Sequence, residues 1–151
     1  MSRLIQASCV AIGGRGLLIL GAPGSGKSSL ALALIDRGAR LIGDDGVQIA
    51  GEAGVLRASP PPNIAGLIEV RNVGLLTYPT VTGIPLALAL RLDADAPRLP
   101  EAAETFELEG IALPRITLWP GSPVLPLRAE AALQQWGLLF AEHQGHIGQR
   151  S

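Results

Sequence analysis

The sequence has few aromatic residues, one cysteine and almost no net charge. Phe, Trp and Tyr make up 3% of its 151 residues, and the formal net charge is −1 without a cluster of basic residues. Few rings are available to stack on bases, and no basic surface is present to neutralise a phosphate backbone. We therefore expect no nucleic-acid partner. Cys9 is the only cysteine, so an internal disulfide is excluded.

Long apolar runs are also missing. No stretch approaches the roughly 18 apolar residues of a membrane span, and no signal peptide is visible. With 48% hydrophobic and 17% charged residues, the composition is that of a globular chain. We predict a single cytoplasmic domain covering residues 1–151, without a membrane partner.

A phosphate-binding motif stands out against this background. Residues 21–28 fit the P-loop pattern G-x-x-x-x-G-K-[ST]. Its glycines let backbone N–H groups approach a polyphosphate, the only lysine of the chain supplies a cation, and the hydroxyl after it can ligate Mg²⁺. The predicted nucleotide-binding residues are Gly21, Ala22, Pro23, Gly24, Ser25, Gly26, Lys27, Ser28 and Ser29.

The flanking sequence fits the motif. Residues 16–20 form a short apolar run typical of a buried strand, and Ser28 to Arg37 is predicted as a helix that is buried almost all round. Gly38 suits the position just past the end of that helix. Ile5 to Ile12 reads as a strand that forms a hairpin with residues 16–20, because residues 13–16 are rich in glycine.

Two adjacent carboxylates follow the next predicted strand. The predicted strand from Arg40 to Gly43 leads into Asp44 and Asp45. In α/β sheets with parallel strands, the residues that bind ligands gather at the carboxyl ends of the strands. A carboxylate there could hold Mg²⁺, directly or through water, or take a proton from an attacking hydroxyl. The alternative is that Asp-Asp-Gly only forms a turn.

The rest of the chain is predicted more coarsely. Glu69 and Arg71 share one face of a strand-like run and could simply form a solvated pair. The other expected elements are a hairpin of 47–50 and 55–58, strands at 67–71 and 85–92, a loop at 93–104, edge strands at 105–108 and 115–118, an irregular segment at 119–126 and a closing helix at 127–143.

Together with the P-loop, Arg40 to Asp45 and the run Gly66 to Leu75 resemble the HPr kinase/phosphorylase family, in the short form that lacks an amino-terminal domain. The resemblance implies an α/β P-loop kinase fold like that of phosphoenolpyruvate carboxykinase, with a mixed sheet, a P-loop helix and a C-terminal helix. It also implies ATP-dependent phosphorylation of a serine in an HPr-type carrier of a sugar or nitrogen phosphotransferase system. The family runs the reverse dephosphorylation with inorganic phosphate and forms homo-oligomers.

Residue roles follow from the same resemblance. Ser28 and Glu69 would bind Mg²⁺, Asp44 would be the base toward the substrate serine with Asp45 beside it, and Arg71 would lie close to the reacting phosphate. These roles agree with phosphoryl transfer, which depends on positioning and on neutralising charge.

The sequence departs from the family pattern at two positions. Asn72 stands where the family has glycine, and Gln6 stands where the family usually has a histidine, although glutamine cannot relay a proton near neutral pH. The only histidines, His143 and His146, are predicted on the surface. Gln6 motivates a second hypothesis, a nucleotide-binding regulator without efficient transfer; a small-molecule P-loop kinase is a third.

Overall fold

A computed structural model describes residues 2–140 as a mixed α/β fold. Within this range, neither helix is long and apolar enough to cross a membrane. The elements are β1 (Ser2–Ile5), β2 (Ser8–Ile12), β3 (Arg15–Gly21), α1 (Lys27–Asp36), β4 (Arg40–Gly43), β5 (Val47–Glu52), β6 (Val55–Ser59), β7 (Leu67–Val70), β8 (Gly74–Thr77), β9 (Ile84–Leu92), β10 (Glu104–Leu108), β11 (Ile111–Leu118) and α2 (Leu125–Trp136).

The main sheet has nine strands and curls around β9, which pairs with different neighbours along its length. The first residues of β9, Ile84 and Pro85, pair antiparallel with β6, and β5 and β1 follow beyond it. On one side, β9 pairs in parallel with β3 from Leu86 to Leu92, and on the other side its second half pairs in parallel with β11. The carboxyl ends of β3, β9 and β11 therefore meet at one edge of the sheet.

β2 lies between β3 and β4 and is antiparallel to both. β3 and β4 consequently run in the same direction, and the connection through α1 passes across β2. β3, α1 and β4 therefore form a crossover between two parallel strands, and β2 is inserted between these strands. Because β2 is antiparallel, its first residue lies at the edge where β3 and β4 end.

Two apolar clusters cover the faces of the sheet. On one face α1 and α2 pack against residues such as Leu17, Leu88 and Ile116. On the other face, a second buried cluster includes Leu18, Ile49 and Leu113. Central strands with both faces covered read as continuous apolar runs, as β9 does.

α1 begins and ends within one residue of the prediction, and Gly38 follows it with φ of 108°. The Ala39 N–H donates to Leu34 O at 2.9 Å, which closes the end of the helix. The expected burial all round is wrong. Leu30, Ala31 and Leu34 are buried, whereas the apolar residues between them are only partly covered.

The predicted strand from Ile5 to Ile12 is interrupted at Gln6 and Ala7. β1 pairs with β5, whereas β2 pairs with β3 and β4. The chain must bend where it passes from one set of partners to the other. Gln6 is exposed in this bend and Ala7 is fully buried.

The closing helix is shorter than predicted, because α2 ends at Trp136 instead of continuing to residue 143. Gly137 adopts an extended conformation, and the Leu138 N–H donates to Ala87 O at 2.9 Å on β9. This bond directs the chain away from the helix axis, so Leu139 and Phe140 are not helical. Residues 141–143 and both histidines lie outside the described residues.

The strands of the second half are also partly corrected. β11 is four residues longer than predicted and is an interior strand, since it pairs with both β9 and β10. β10 is the edge strand of this group. The hairpin of β5 and β6 is confirmed, with a turn at Ala53 and Gly54, both at positive φ. β8 was not predicted; it pairs with β7, and Arg71 lies in the turn between them.

Candidate active site

The glycine-rich loop joins the end of β3 at Gly21 to the start of α1 at Lys27. Gly24 and Gly26 have φ angles of 81° and 104°, which side chains with a Cβ rarely adopt. The predicted order of strand, glycine loop and helix is confirmed. The first N–H groups of α1 therefore face the loop, which is the arrangement that favours an anion.

Gly21 and Ser25 are in close contact across this loop. The Ser25 N–H donates to Ala22 O at 3.0 Å, and a Cβ on Gly21 would collide with Ser25 Oγ and lie 3.3 Å from Leu92 O. Ser25 Oγ is buried, and within residues 2–140 it has no hydrogen-bond partner. The loop is thus packed closely onto the ends of β3 and β9, and a side chain at position 21 would have to displace Ser25.

The Lys27 side chain folds back over the loop. Its Nζ donates to Gly21 O at 2.8 Å and to Ala22 O at 3.1 Å. The ammonium group therefore lies above the carboxyl end of β3. A cation at this position adds to the positive end of the α1 dipole.

Asp44 is the carboxylate that contacts this loop-and-helix unit. Its Oδ1 accepts a hydrogen bond from Ser28 Oγ at 2.7 Å and another from Ser8 Oγ at 2.8 Å. Its Oδ2 accepts a long hydrogen bond from the Glu69 N–H, with an N···O distance of 3.4 Å. One carboxylate thereby connects β2, the first turn of α1, the end of β4 and the start of the β7–β8 hairpin.

The sheet order explains why these groups meet. β3 and β4 both end at this edge, and Asp44 directly follows β4. Ser8 is the first residue of the antiparallel β2, so it lies at the same edge. β7 is held against α1, where Ile68 is 1% exposed in the helix-side core.

Three other predicted site residues, Asp45, Glu69 and Arg71, have exposed side chains. Asp45 lies in the turn after β4 with φ of 59°, and Arg71 lies in the turn after β7. The reading of Glu69 and Arg71 as a pair on one strand face is wrong, because Arg71 is outside β7 and no salt bridge joins them within residues 2–140. Only the backbone of Glu69 contacts Asp44.

Ser8 was not predicted as a site residue. It belongs to a strand whose residues are apolar on both faces, and its side chain is 1% exposed. A buried hydroxyl requires a hydrogen-bond partner, so a lone serine in such a strand is a signal that could have been used. The identity of the partner depends on which strand lies beside β2, which the local sequence does not encode.

The residues at this edge fit a magnesium ion that also binds a nucleotide. Within residues 2–140, no three His, Cys, Asp or Glu side chains cluster as a protein-only metal site. Ser28 Oγ lies beside the loop, 2.7 Å from Asp44 Oδ1, and Glu69, whose backbone N–H contacts Asp44 Oδ2, adds an exposed carboxylate. Mg²⁺ is typically held by one or two protein oxygens together with phosphates and water, which matches this sparse set.

Comparison with solved structures shows that a kinase has a similar fold. The solved structure of the HPr(Ser) kinase/phosphatase from Coxiella burnetii superimposes with a TM-score of 0.78 at 28% identity, covering 98% of this chain and 94% of that one. The chain therefore shares the overall fold of this kinase/phosphatase.

Sequence comparison defines the family more narrowly. The profile described as HPr Serine kinase C-terminal domain matches residues 1–119, and the chain belongs to this family. The HPr kinase/phosphorylase of Clostridium novyi (strain NT) is 45% identical over 75 residues, covering 50% of this chain and 24% of that protein. That of Streptococcus thermophilus (strain ATCC BAA-491 / LMD-9) is 35% identical over 127 residues, covering 76% and 41%. The chain thus spans less than half the length of these curated relatives.

Proposed function

We propose that this protein is an ATP-dependent serine kinase that phosphorylates an HPr-type phosphocarrier protein. The observation that carries the proposal is the 2.7 Å hydrogen bond from Ser28 to Asp44, which joins the glycine loop to a carboxylate at one sheet edge. The names of the relatives, HPr kinase/phosphorylase, support the choice of an HPr-type carrier as the acceptor. The fold likeness to phosphoenolpyruvate carboxykinase stays a prediction.

ATP would bind with its phosphates in the loop of residues 21–27. The N–H groups at the start of α1 and the Lys27 ammonium would neutralise the phosphate charge. Ser28 and Glu69 would hold Mg²⁺, with Glu69 turning its exposed carboxylate toward the Ser28 hydroxyl. The ion supplies charge neutralisation and orientation of the phosphate oxygens when it is bound.

Asp44 would act on the acceptor serine as the general base. The carboxylate takes the hydroxyl proton, the serine oxygen forms a bond to the γ-phosphorus, and the bond from that phosphorus to the β–γ bridging oxygen breaks to release ADP. Asp45 beside it adds negative charge at the mouth of the site, and Arg71 would approach the transferred phosphate from the turn after β7.

We also propose the reverse reaction, in which inorganic phosphate removes the phosphate from the carrier. The relatives carry the word phosphorylase in their names, and the Coxiella burnetii protein is described as a kinase/phosphatase. The proposal includes a cytoplasmic location, as predicted from the sequence, and a homo-oligomeric state, which the family resemblance implies.

A direct test is a transfer assay with purified HPr-type carrier, ATP and Mg²⁺. Mass spectrometry of the carrier should show one added phosphate on a serine, and a carrier with that serine replaced by alanine should stay unmodified. Tight ATP binding without transfer would instead identify a nucleotide-binding regulator. Transfer to a small molecule but not to the carrier would identify a small-molecule kinase.

A further inference from the structure

Ser8 has an unusual environment for a hydroxyl at the start of a strand. Its side chain is 1% exposed, and its Oγ lies 2.8 Å from Asp44 Oδ1. The partner is 36 positions away in the sequence, so the contact depends on the tertiary fold. A buried hydroxyl bonded to a carboxylate is among the stronger side-chain hydrogen bonds, and losing one of its partners is costly.

The two oxygens of Asp44 are held very differently. Oδ1 accepts both hydroxyls, from Ser8 and Ser28, at 2.8 and 2.7 Å. Within residues 2–140, Oδ2 accepts only the Glu69 N–H at 3.4 Å, which is beyond the usual range of an N–H···O bond. Oδ2 therefore has the lone pairs that are free to accept a proton.

A carboxylate turns readily about its last side-chain bond, whose torsion is broad and roughly two-fold. Such a turn would exchange Oδ1 and Oδ2. Ser28 lies in the first turn of α1, directly after the glycine-rich loop, so its hydroxyl would also contact Mg²⁺ and the phosphates when they are bound. Ser8 lies on β2, which is hydrogen-bonded on both sides, so its position does not depend on the nucleotide.

We propose that Ser8 is a positioning residue that holds Asp44 Oδ1 and so presents Oδ2 to the hydroxyl of the acceptor serine. This role rests on the proposed kinase function. It predicts that loss of the Ser8 hydroxyl lowers the rate of transfer without weakening nucleotide binding, because Ser8 contacts the base and not the loop.

The sharpest test compares two variants of equal shape, Ser8→Thr and Ser8→Val. Both add the same bulk to the buried site, and only threonine keeps the hydroxyl. We expect Ser8→Thr to retain most of the wild-type kcat, and Ser8→Val to lose roughly 10- to 100-fold, because misplacement of a reacting group costs rates of this order. The KM for ATP should stay within about twofold in both variants.

Ser122→Ala provides a matched control at another buried serine. Its Oγ accepts a hydrogen bond from the Val124 N–H in the turn between β11 and α2, and β9 separates β11 from β3, the strand that leads into the loop. Its kcat should equal that of the wild type. Thermal unfolding of every variant shows whether each is folded, and Ser8→Ala replaces Ser8→Val if valine does not fit.

The outcomes separate the two proposals. An active wild type with equal kcat in the threonine and valine variants overturns the role of Ser8 alone. A parallel rise in the KM for ATP would also overturn it, because the effect would then come from the nucleotide loop. A wild type that transfers no phosphate overturns the kinase function and, with it, the role of Ser8.

Discussion

Ser28 and Asp44 are joined by a 2.7 Å hydrogen bond from the serine hydroxyl to the carboxylate. Ser28 lies in the first turn of α1, and Asp44 directly follows β4. The bond therefore links α1 to β4 at the edge of the sheet where β3 and β4 end. The same hydroxyl is the one that the P-loop pattern assigns to Mg²⁺. The bond therefore connects the expected metal ligand with the expected base.

Lys27→Ala is expected to weaken ATP binding. The variant removes the only lysine of the chain, whose ammonium group lies over the loop carbonyls of Gly21 and Ala22. Hydrogen bonds to charged groups contribute about 1.5–3 kcal/mol, which corresponds to a loss of roughly 10- to 100-fold in affinity. Calorimetry with ATP and Mg²⁺ measures this change in affinity. Arg128→Ala, which removes an exposed cation from α2, should bind as the wild type does; equal affinity in all three proteins would refute the loop assignment.

Gly43→Ala is expected to disturb the turn that carries Asp44. An added Cβ would collide with the carbonyl oxygen of Gly46 and approach its carbonyl carbon to 3.2 Å. Backbone atoms cannot rotate away, so we expect a loss of about 1–3 kcal/mol in the free energy of unfolding and a clear loss of transfer. Gly54→Ala, at φ of 78° in the β5–β6 turn, should cost stability through strain but leave transfer intact. If Gly43→Ala transferred phosphate normally, the position of Asp44 would not matter to the reaction.

Cys9 should be unreactive in the folded protein. Its side chain is fully buried, and burial raises the pKa of the thiol well above its usual range. The reactive thiolate is then scarce at about pH 8, where an unperturbed thiol is partly ionised. An aromatic disulfide reagent should label the native chain very slowly and label one thiol at once in guanidinium. Rapid labelling without denaturant would mean that β2 does not lie in the core.

Gln6→His is expected to raise the reverse rate near neutral pH. Gln6 is exposed in the bend two residues before Ser8, at the edge where β3 and β4 end. An imidazole at this position can take up and release protons in a range in which glutamine cannot. The measurement is phosphate-driven release from the phosphoserine carrier between about pH 6 and about pH 8, a range that brackets the ordinary histidine pKa. Gln6→Ala serves as the control, and equal pH profiles in all three proteins would make Gln6 a surface residue only.

The P-loop motif predicted the part of the site that is formed by residues close together in the sequence. Gly21 to Ser28 dictates a turn into a helix, and Asp44 follows a strand that must end near it. The contribution of Ser8 could not be predicted in this way, because it depends on β2 being inserted between β3 and β4. Pairing of strands is a long-range choice that local patterns do not encode.

The end of α2 illustrates the same limit. The apolar spacing continues to Phe140, and helical periodicity alone would extend the helix through it. The helix stops at Trp136 because Gly137 turns the chain and the Leu138 N–H finds Ala87 on β9. The interior position of β11 likewise follows from its pairing with β9.

The most direct test of the account is phosphate transfer to the HPr-type carrier by Asp44→Asn. Asparagine keeps an oxygen for the hydroxyls of Ser8 and Ser28, so the fold and ATP affinity should be retained. Loss of a positioned base should lower transfer by on the order of 10²–10⁴. Asp36→Asn, which removes an exposed carboxylate at the end of α1, should transfer as the wild type does. Transfer by Asp44→Asn at the wild-type rate, with ATP binding unchanged, would contradict the assignment of Asp44 as the base and the mechanism that rests on it.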